Sequence, residues 1–369
     1  MRAASLGTAL PPVIDLAPPA SPMGDADLLA QDAPAITLAG AADLARDLYG
    51  ITGDIRQLSA EKDANFRIRL DGGEEALLKI TNAAEDRAVT DMQTQVLIHL
   101  AAVDPTLPVP RVHASLSGAA SEIISGAAGQ SHVVRLLGYL PGTVLAGAEA
   151  APAMHEDLGV LLGRLTRAMR GFFHPAAGHE LQWDIKQAHR LRPMLEAVAE
   201  DDLRARLTAL LDRFDADIAP QLPHLRAQVV HNDFNPHNLL VDAARATRPT
   251  GIIDFGDMVH TPVACDLAVA CSYQIVAGPD PLAHITRMIR GYSRIMPLEE
   301  EEIALLPDLI RLRHLTTLTL GAWRARRYPQ NADYILRNTA ASRRGLSALD
   351  AMAPGAPAAA LREAARVRA

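Results

Sequence analysis

HNDFNPHN at residues 231–238 and IDFGD at residues 253–257 are two polar clusters that begin about twenty residues apart. Short apolar runs flank them: VV and LLV enclose the first cluster, and GII leads into the aspartate of the second. Runs of this kind predict short strands that deliver polar side chains to one edge of a sheet. Pro236 interrupts any helix or central strand between Asp233 and Asn238, so we predict a loop there.

Three side chains of these clusters suit phosphoryl transfer. In that chemistry one Asp accepts the proton of the attacking hydroxyl, an Asn five residues on binds a metal ion, and an Asp before Phe-Gly binds the metals that bridge the nucleotide phosphates. Asp233, Asn238 and Asp254 fit these roles in order. Asp and Asn are also ordinary turn residues, but two clusters in this order favour a catalytic site. We therefore predict Asp233 as the base and Asn238 and Asp254 as Mg²⁺ ligands.

Length and charge limit the class of protein. The chain has 369 residues, 49% of them hydrophobic, and a formal net charge of -7. This length allows a sizeable core and favours two lobes, and the acidic balance gives no reason to expect a nucleic-acid partner. No apolar run approaches the roughly 18 residues of a membrane span, and the N-terminus lacks the blocks of a secretory signal. We predict a cytoplasmic protein without a membrane partner. The sequence does not indicate its oligomeric state.

Periodicity divides the chain into four parts. Residues 1–35 are rich in Ala and Pro and predict a flexible tail, and residues 353–369 predict a second one, although Leu361 to Val367 could form a short helix. Residues 36–140 mix strand-like runs with one helix, whereas residues 141–352 are mainly helical. The predicted class is α+β, with a small mixed β-sheet N-lobe that binds nucleotide and a larger helical C-lobe that carries catalysis and acceptor binding.

Two stripes in the second lobe recur at helical spacing, and two cysteines lie in an apolar helical stretch. We predict that Cys265 and Cys271 are buried free thiols, with a disulfide as the weaker alternative. The stripes comprise Leu158, Leu161, Leu162, Leu165 and Met169, and Leu203, Leu207, Leu210, Leu211 and Phe214.

The small lobe offers candidates for nucleotide binding. Residues 77–80 read Leu-Leu-Lys-Ile and predict a strand, whose Lys79 fits the kinase lysine that pairs with the α and β phosphates. A strand lysine is more often simply solvent-facing, and the downstream clusters favour the functional role. Residues 59–66 occupy the place of a phosphate-covering loop, with Ser59 as a candidate contact, but contain no glycine.

An apolar stripe from Met92 to Leu100 predicts a helix after Lys79. Protein kinases place a Glu on this helix to pair with the strand lysine. Gln93 corresponds to that residue, and Gln95 or Glu85 would serve under a shifted register. A Gln would hold the lysine by a neutral hydrogen bond only.

With these motifs, the chain resembles the aminoglycoside phosphotransferase and choline kinase superfamily, relatives of protein kinases that phosphorylate small hydroxylated molecules. The resemblance spans about residues 40–350 and implies a bilobal protein-kinase-like fold. Several stretches are most similar to the hydroxylysine kinase branch, which phosphorylates 5-hydroxylysine with GTP. These stretches are Glu61 to Phe66, Val134 to Leu137, Leu140 to Gly142, Trp183-Asp184 and Ile253 to Val259.

The resemblance implies roles for further residues. Residues 137–140 would form the hinge, with backbone groups of Leu137 and Tyr139 at the purine edge, which leaves GTP and ATP indistinguishable. His231 is interpreted as a brace of the catalytic loop, because the loop aspartate already supplies the base. Asp266 lies on an apolar helix and is interpreted as an acceptor for the catalytic-loop backbone, since a buried carboxylate must find donors.

Acceptor recognition is predicted from residue types. Trp183 and Asp184 offer an aromatic face and a carboxylate for an ammonium group, and Asp257 would either assist metal binding or face that ammonium. Trp323 and Arg324, with the arginines that follow, are candidates for binding a carboxylate. A buried Trp on a helix with a solvated basic end is the equally weighted alternative.

The predicted activity is transfer of the γ-phosphoryl group of GTP or ATP, with Mg²⁺, to a hydroxyl of a small amine or amino acid, best matched by 5-hydroxy-L-lysine. Aminoglycoside, homoserine or choline-type kinases of the same superfamily are alternatives. A nucleotide-binding regulatory pseudokinase is an alternative of another class. The glycine-free loop and Gln93 leave it open, whereas the presence of Lys79, Asp233, Asn238 and Asp254 argues against it.

Overall fold

The computed structural model describes residues 33–60, 62–126, 129–148, 151–242, 247–276 and 278–366. The N-terminal tail predicted over 1–35 lies almost wholly outside the described residues. Within the described ranges, no helix is both long and apolar enough to cross a membrane.

The smaller lobe is an antiparallel sheet with one helix on each side. Its elements are α1 (Leu38–Tyr49), β1 (Gly53–Leu58), β2 (Ala64–Leu70), β3 (Glu75–Ile80), α2 (Arg87–Val103), β4 (Val112–His113), β5 (Glu122–Ser125) and β6 (Ser131–Gly138). The strand order is β1-β2-β3-β6-β4, and β5 also pairs with β6. Asp86 caps α2 by accepting from the N–H of Ala88.

Strand alternation gives the two faces of this sheet different tasks. Phe66, Ile68 and Leu78 are fully buried in a small core with α1. The residues between them point to the other face, and the register aligns Asn65 on β2 with Lys79 on β3. Lys79 is aligned in turn with a residue on β6, so the polar face runs across three strands. The predicted strand around Lys79 is confirmed.

The larger lobe begins with short strands and is otherwise helical. Strands β10, β9 and β7 form one antiparallel sheet, and β11 pairs with β8. The regular elements are β7 (Thr143–Val144), α3 (Met154–Met169), 3₁₀ turns at Pro175–Gly178 and Ile185–Ala197, α4 (Asp201–Arg213), a π turn at Phe214–Ile218, a 3₁₀ turn at Leu222–His224, β8 (Ala227–Val230), β9 (Leu239–Val241), β10 (Pro249–Ile252), β11 (Val259–Pro262), α5 (Val263–Ser272), α6 (Ala283–Ile295), α7 (Glu300–Arg327), 3₁₀ turns at Pro329–Asn331 and Leu336–Asn338 around α8 (Ala332–Ile335), α9 (Thr339–Asp350) and α10 (Ala356–Ala365).

Helices α3 and α6 cross at very short range because each contributes a glycine. A Cβ atom at Gly159 would lie 1.9 Å from the carbonyl oxygen of Met288, and one at Gly291 would lie 2.0 Å from that of Glu156. The predicted leucine stripes face the same core. Cys265 and Cys271 are buried free thiols, as predicted.

The C-terminus corrects the prediction of a flexible tail over 353–369. Helix α10 spans Ala356–Ala365, with Pro357 in its first turn, and packs against α6 and α7. Leu361 is only 1% exposed, and Arg362 donates to Glu300 at the start of α7. The Ala-rich composition masked a helix whose buried face is narrow, and the helix predicted for 361–367 begins five residues earlier. The α+β class with two lobes is confirmed.

Candidate active site

The loop between β8 and β9 carries Asp233, and the side chain of His231 joins this loop to Ile253 by hydrogen bonds. His231 is fully buried, its Nδ1 accepts from the N–H of Asp233 (3.2 Å), and its Nε2 donates to the carbonyl of Ile253 (3.2 Å). Burial lowers the pKa of His231 to about 4, so the ring is neutral and carries its proton on Nε2. The ring also meets Phe255 edge-on at 4.8 Å. This geometry fits the predicted brace, because it ties both polar clusters together.

Asp266 on α5 holds the same loop by its backbone. Asn232 adopts a φ of 62°, in the left-handed region, and its N–H donates to Asp266 Oδ1 over 2.7 Å. Burial raises the pKa of Asp266 to about 7 against the opposing effect of that hydrogen bond. A left-handed asparagine is strained, so the Asp266 contact helps to set the direction of the loop.

Asp233 is bound on both carboxylate oxygens. Asn238 Nδ2 donates to Oδ2 over 2.6 Å, and Arg313 Nη2 on α7 donates to Oδ1 over 3.2 Å. Burial raises the pKa of Asp233 to about 6, although the Arg313 charge opposes the shift. The carboxyl group therefore loses its proton near neutral pH, which suits a general base.

Asp254 faces the same space from the loop after β10. It also has a left-handed backbone, with a φ of 60°, and its Oδ1 accepts from the N–H of Gly256 (3.1 Å). Its carboxylate is exposed, while the amide nitrogen of Asn238 is engaged by Asp233 and leaves Asn238 Oδ1 as the remaining oxygen. One carboxylate and one amide oxygen are hard donors, so this pair fits a divalent cation such as Mg²⁺ that takes its other ligands from phosphates and water.

The small lobe corrects the predicted partner of Lys79. Lys79 Nζ lies 2.8 Å from Asp63 Oδ2, at the start of β2, and the two side chains are 18% and 5% exposed. Gln93 instead accepts from Arg135 Nη2 (3.2 Å) and donates to the carbonyl of Gly256 (3.5 Å). The prediction that Gln93 holds the lysine is therefore wrong, because the carboxylate of Asp63, just before β2, pairs with Lys79 and Gln93 bonds to other groups.

The alternative partners of the lysine also lie elsewhere. Glu85 accepts from Lys62 over 2.8 Å, and Gln95 is exposed and donates to Asp91. Ser59 is exposed in the connection between β1 and β2. Its contact with nucleotide stays a prediction.

The segment predicted as the hinge, residues 137–140, forms hydrogen bonds within the small lobe. Leu137 is 6% exposed and packs in the core beside β3 and β4. The N–H of Tyr139 donates to the carbonyl of Glu75 (3.1 Å), and that of Gly138 donates to Arg111 (2.7 Å). Arg67 covers the Tyr139 ring at 4.4 Å. The N–H groups of Gly138 and Tyr139 are thus engaged within the small lobe, so a purine contact at Tyr139 would have to come from its carbonyl group or side chain.

Of the two residues predicted to bind the acceptor's ammonium group, Trp183 contacts Arg313, which binds the proposed base, and Asp184 is buried elsewhere. The Trp183 carbonyl accepts from Arg313 Nη1 (3.1 Å), and its ring lies under the same guanidinium at 5.1 Å. Asp184 is 1% exposed, caps a 3₁₀ turn at the N–H of Lys186 and accepts from Thr261 Oγ1 (2.8 Å). Asp184 is thus a structural residue, which corrects its predicted contact with an ammonium group.

Trp323 and Arg324 are not brought to Asp233. They follow Arg313 on α7 by ten and eleven residues, which at the helical rise is roughly 15 Å. The Trp323 ring lies under Arg327 instead. Asp257, by contrast, lies on the loop that carries Asp254, three residues further along the chain.

Several side chains at the site were not predicted. Arg313 is 2% exposed and occupies a core position in the stripe of α7, where an arginine among apolar residues was the available signal. Tyr273, whose hydroxyl lies 3.4 Å from Arg313, carried no such signal. The others are Asp63 and Arg135, whose roles depend on strand pairing.

Comparison with known proteins gives consistent matches. A model of the phosphotransferase enzyme family matches residues 54–298. Hydroxylysine kinase from Danio rerio is 28% identical over 318 residues, which are 83% of this chain and 89% of that protein. Homoserine kinase from Zymomonas mobilis subsp. mobilis is 28% identical over 233 residues, which are 61% of this chain and 67% of that protein.

A solved structure extends the comparison to the fold. The structure of a microcompartment-associated aminopropanol kinase superposes with a TM-score of 0.65 at 21% identity, covering 84% of this chain and 97% of that chain. At this identity the likeness concerns the fold alone. The predicted resemblance and the bilobal kinase-like fold are both confirmed.

Proposed function

The chain belongs to the phosphotransferase enzyme family, and from that premise we propose that it transfers the γ-phosphoryl group of GTP or ATP to the side-chain hydroxyl of 5-hydroxy-L-lysine. It is a small-molecule kinase with an alcohol group as acceptor, and it uses a nucleotide and a divalent metal, as its family does. The choice of acceptor and nucleotide is the proposal, together with Mg²⁺ as the metal and a cytoplasmic location.

One observation carries the proposed catalytic role. Asp233 is the only residue of the two motif clusters whose carboxylate is bound by both Asn238 and Arg313, and it faces the space shared with Asp254. A base in this position would orient the acceptor hydroxyl and take its proton. Its ionised form is stabilised by the adjacent guanidinium.

The reaction makes and breaks one bond to phosphorus. The acceptor oxygen bonds to the γ-phosphorus while the bond to the β-γ bridging oxygen breaks, the hydroxyl proton passes to Asp233, and a nucleoside diphosphate leaves. Lys79 would pair with phosphate oxygens from the small lobe. Asn238 and Asp254 would hold Mg²⁺, which supplies positive charge to the phosphate oxygens when bound. Most of the rate gain is then positional and electrostatic.

The choice of acceptor is supported by similarity and by charge. The match to hydroxylysine kinase covers most of both proteins. Beside Arg313, which binds the proposed base, Trp183 presents an aromatic face, and the loop that carries Asp254 adds the negative charge of Asp257. An amino alcohol with a cationic end fits these side chains better than a neutral polyol.

Homoserine is the second candidate acceptor, because a homoserine kinase matches 61% of this chain. The two acceptors differ in the distance from the reacting hydroxyl to the amino acid head group, so one pocket is expected to discriminate between them. A regulatory pseudokinase is disfavoured, since Lys79, Asp233, Asn238 and Asp254 are present and all except Lys79 meet on the two adjoining loops.

The test is a turnover assay of the purified full chain with Mg²⁺, comparing GTP with ATP across 5-hydroxy-L-lysine, homoserine, choline, ethanolamine and kanamycin. We expect GTP-dependent turnover with 5-hydroxy-L-lysine and at least tenfold lower kcat/KM for the other acceptors. Preference for homoserine would replace the acceptor and keep the kinase. Nucleotide binding without turnover on any acceptor would contradict the proposal.

A further inference from the structure

Lys79 on β3 and Asp63, the residue just before β2, form an ion pair. From this pair we infer that Asp63 is the positioning residue for the lysine that would bind the nucleotide phosphates, whereas helix α2 has no part in holding that lysine. This inference rests on the proposed nucleotide-dependent function. It assigns a role to Asp63 and gives Gln93 a different task from the helix glutamate of protein kinases.

Strand pairing explains why Asp63 is within reach. Lys79 is aligned with Asn65 on β2 and with Arg135 on β6, so these three side chains form a row on the face opposite α1. Asp63 precedes β2 by one residue and stands two residues before Asn65, on the same side of the sheet. The contact that holds Lys79 therefore comes from the residue just before β2, and it does not involve α2.

The Asp63 carboxylate is prepared for this task. Its Oδ1 accepts from the backbone N–H of Asn82 over 3.0 Å, which leaves Oδ2 for Lys79 at 2.8 Å. Burial raises the pKa of Asp63, but the Lys79 charge and the Asn82 hydrogen bond outweigh it and hold that pKa below its usual value. An ionised, oriented carboxylate fixes the direction of the ammonium group and lets it meet phosphate oxygens without first ordering.

Gln93 connects α2 to a different part of the site. Its amide oxygen accepts from the buried Arg135, and its amide nitrogen donates to the carbonyl of Gly256, next to the proposed metal ligand Asp254. A neutral side chain suits this position, because a glutamate would place a further negative charge close to Asp254. Gln93 thus links helix α2 to the loop that carries Asp254. Asp63, and not Gln93, positions Lys79.

The two roles predict separable effects on nucleotide affinity. Asp63→Asn removes the charge that orients Lys79, so we expect Mg²⁺-nucleotide affinity to fall on the order of tenfold or more, as for other supporting partners of active-site groups. Asp63→Glu keeps the charge and should restore part of the affinity. Gln93→Ala removes the bond to the Gly256 carbonyl and not a contact with Lys79, so any loss of affinity that it causes should persist in full when Lys79 is replaced.

Glu85→Gln is the matched control. Glu85 is 6% exposed and pairs with Lys62 over 2.8 Å, so the substitution removes an equally buried carboxylate that does not contact Lys79. The measurement is the Kd of Mg²⁺-GTP and Mg²⁺-ATP for each full-length variant by titration calorimetry, with thermal unfolding to record any loss of stability. Because no acceptor is present, an error in the proposed acceptor leaves this comparison intact.

A double-mutant cycle separates positioning from folding. In a Lys79→Met background, Asp63→Asn should have no further effect on nucleotide Kd, because the group that it positions is gone. Additive effects of the two substitutions would overturn the inference. So would an Asp63→Asn variant that binds nucleotide as tightly as Glu85→Gln, or a loss of affinity in Gln93→Ala that disappears in the Lys79→Met background.

Discussion

Arg313 Nη2 lies 3.2 Å from Asp233 Oδ1, which places a buried guanidinium of α7 against the proposed catalytic base. The guanidinium is itself held by the Trp183 carbonyl and the Tyr273 hydroxyl. A residue eighty positions from Asp233 along the chain therefore supplies a positive charge to its carboxylate. In protein interiors such a partner stabilises a carboxylate strongly, since water screens it little.

Removal of the Arg313 charge should impair the reaction step. Arg313→Gln leaves Asp233 buried without its cation, so the pKa of Asp233 rises further and kcat at pH 7 falls on the order of 10- to 100-fold. Arg313→Lys keeps the charge but loses the planar fork, so the loss should be smaller. Steady-state kinetics with saturating nucleotide measure both.

The matched control for this pair is Arg311→Gln. Arg311 lies two residues earlier on α7 and bonds Asp308 and Asp350 instead of the site. Its kcat should stay within about threefold of wild type. Equal losses from Arg311→Gln and Arg313→Gln would assign the effect to the stability of α7.

The rate should depend on pH through the ionisation of Asp233. The base works only when deprotonated, so kcat should rise as pH increases through about 6 and level off above neutrality. The charged groups nearby are Arg313 and Asp254; Asp266, with a pKa of about 7, loses its proton at the upper end of this range, whereas His231 stays neutral. In Arg313→Gln the rise should move to higher pH. A rate that is flat from pH 5 to 8 in wild type would refute this assignment.

The proposed metal ligands predict a joint dependence on Mg²⁺. Asp254→Ala and Asn238→Ala each remove one of two protein oxygens, so the Mg²⁺ concentration for half-maximal turnover should rise and kcat should fall on the order of 100-fold. Excess EDTA should abolish turnover in wild type, and added Mg²⁺ should restore it. Asp242→Ala, directly after β9 and outside the two motif clusters, is the control and should change neither quantity. Unaltered Mg²⁺ dependence in Asp254→Ala would contradict the assignment.

The C-terminal helix should contribute to stability without touching the site. Leu361→Ala removes a side chain that is 1% exposed between α10 and α7, so the free energy of unfolding should fall by about 2–5 kcal/mol. Urea unfolding measures the loss, and kcat should stay unchanged. Ala359→Ser in the same helix, at an exposed position, should cost less than about 1 kcal/mol. A Leu361→Ala variant as stable as wild type would mean that α10 is not part of the folded lobe.

Local sequence patterns were sufficient for the catalytic loop and the strands around it. Pro236 and the flanking apolar runs predict a loop between strands, and the structure has β8, the loop and β9 in these places. The partners of buried charges could not be predicted in this way. Asp63 meets Lys79 only through the β2–β3 register, and Arg313 reaches Asp233 across eighty residues.

The wrong predictions concern contacts that only the fold determines. Gln93 and Asp184 have plausible residue types, but Lys79 pairs with Asp63 instead of Gln93, and the buried Asp184 accepts from Thr261. The tail prediction failed because composition does not report packing, and Leu361 finds a core. Spacing along one element was therefore a good guide, whereas contacts between elements needed the fold.

The central claim is that Asp233 accepts the proton of the acceptor hydroxyl, and the most direct test compares Asp233→Asn with wild type. Asn keeps the shape and removes the base, so kcat should fall on the order of 10²- to 10⁴-fold, while the Kd of Mg²⁺-nucleotide, measured by calorimetry without acceptor, should stay within about threefold. Asp233→Asn turnover within a few-fold of wild type, at equal nucleotide affinity, would contradict the account.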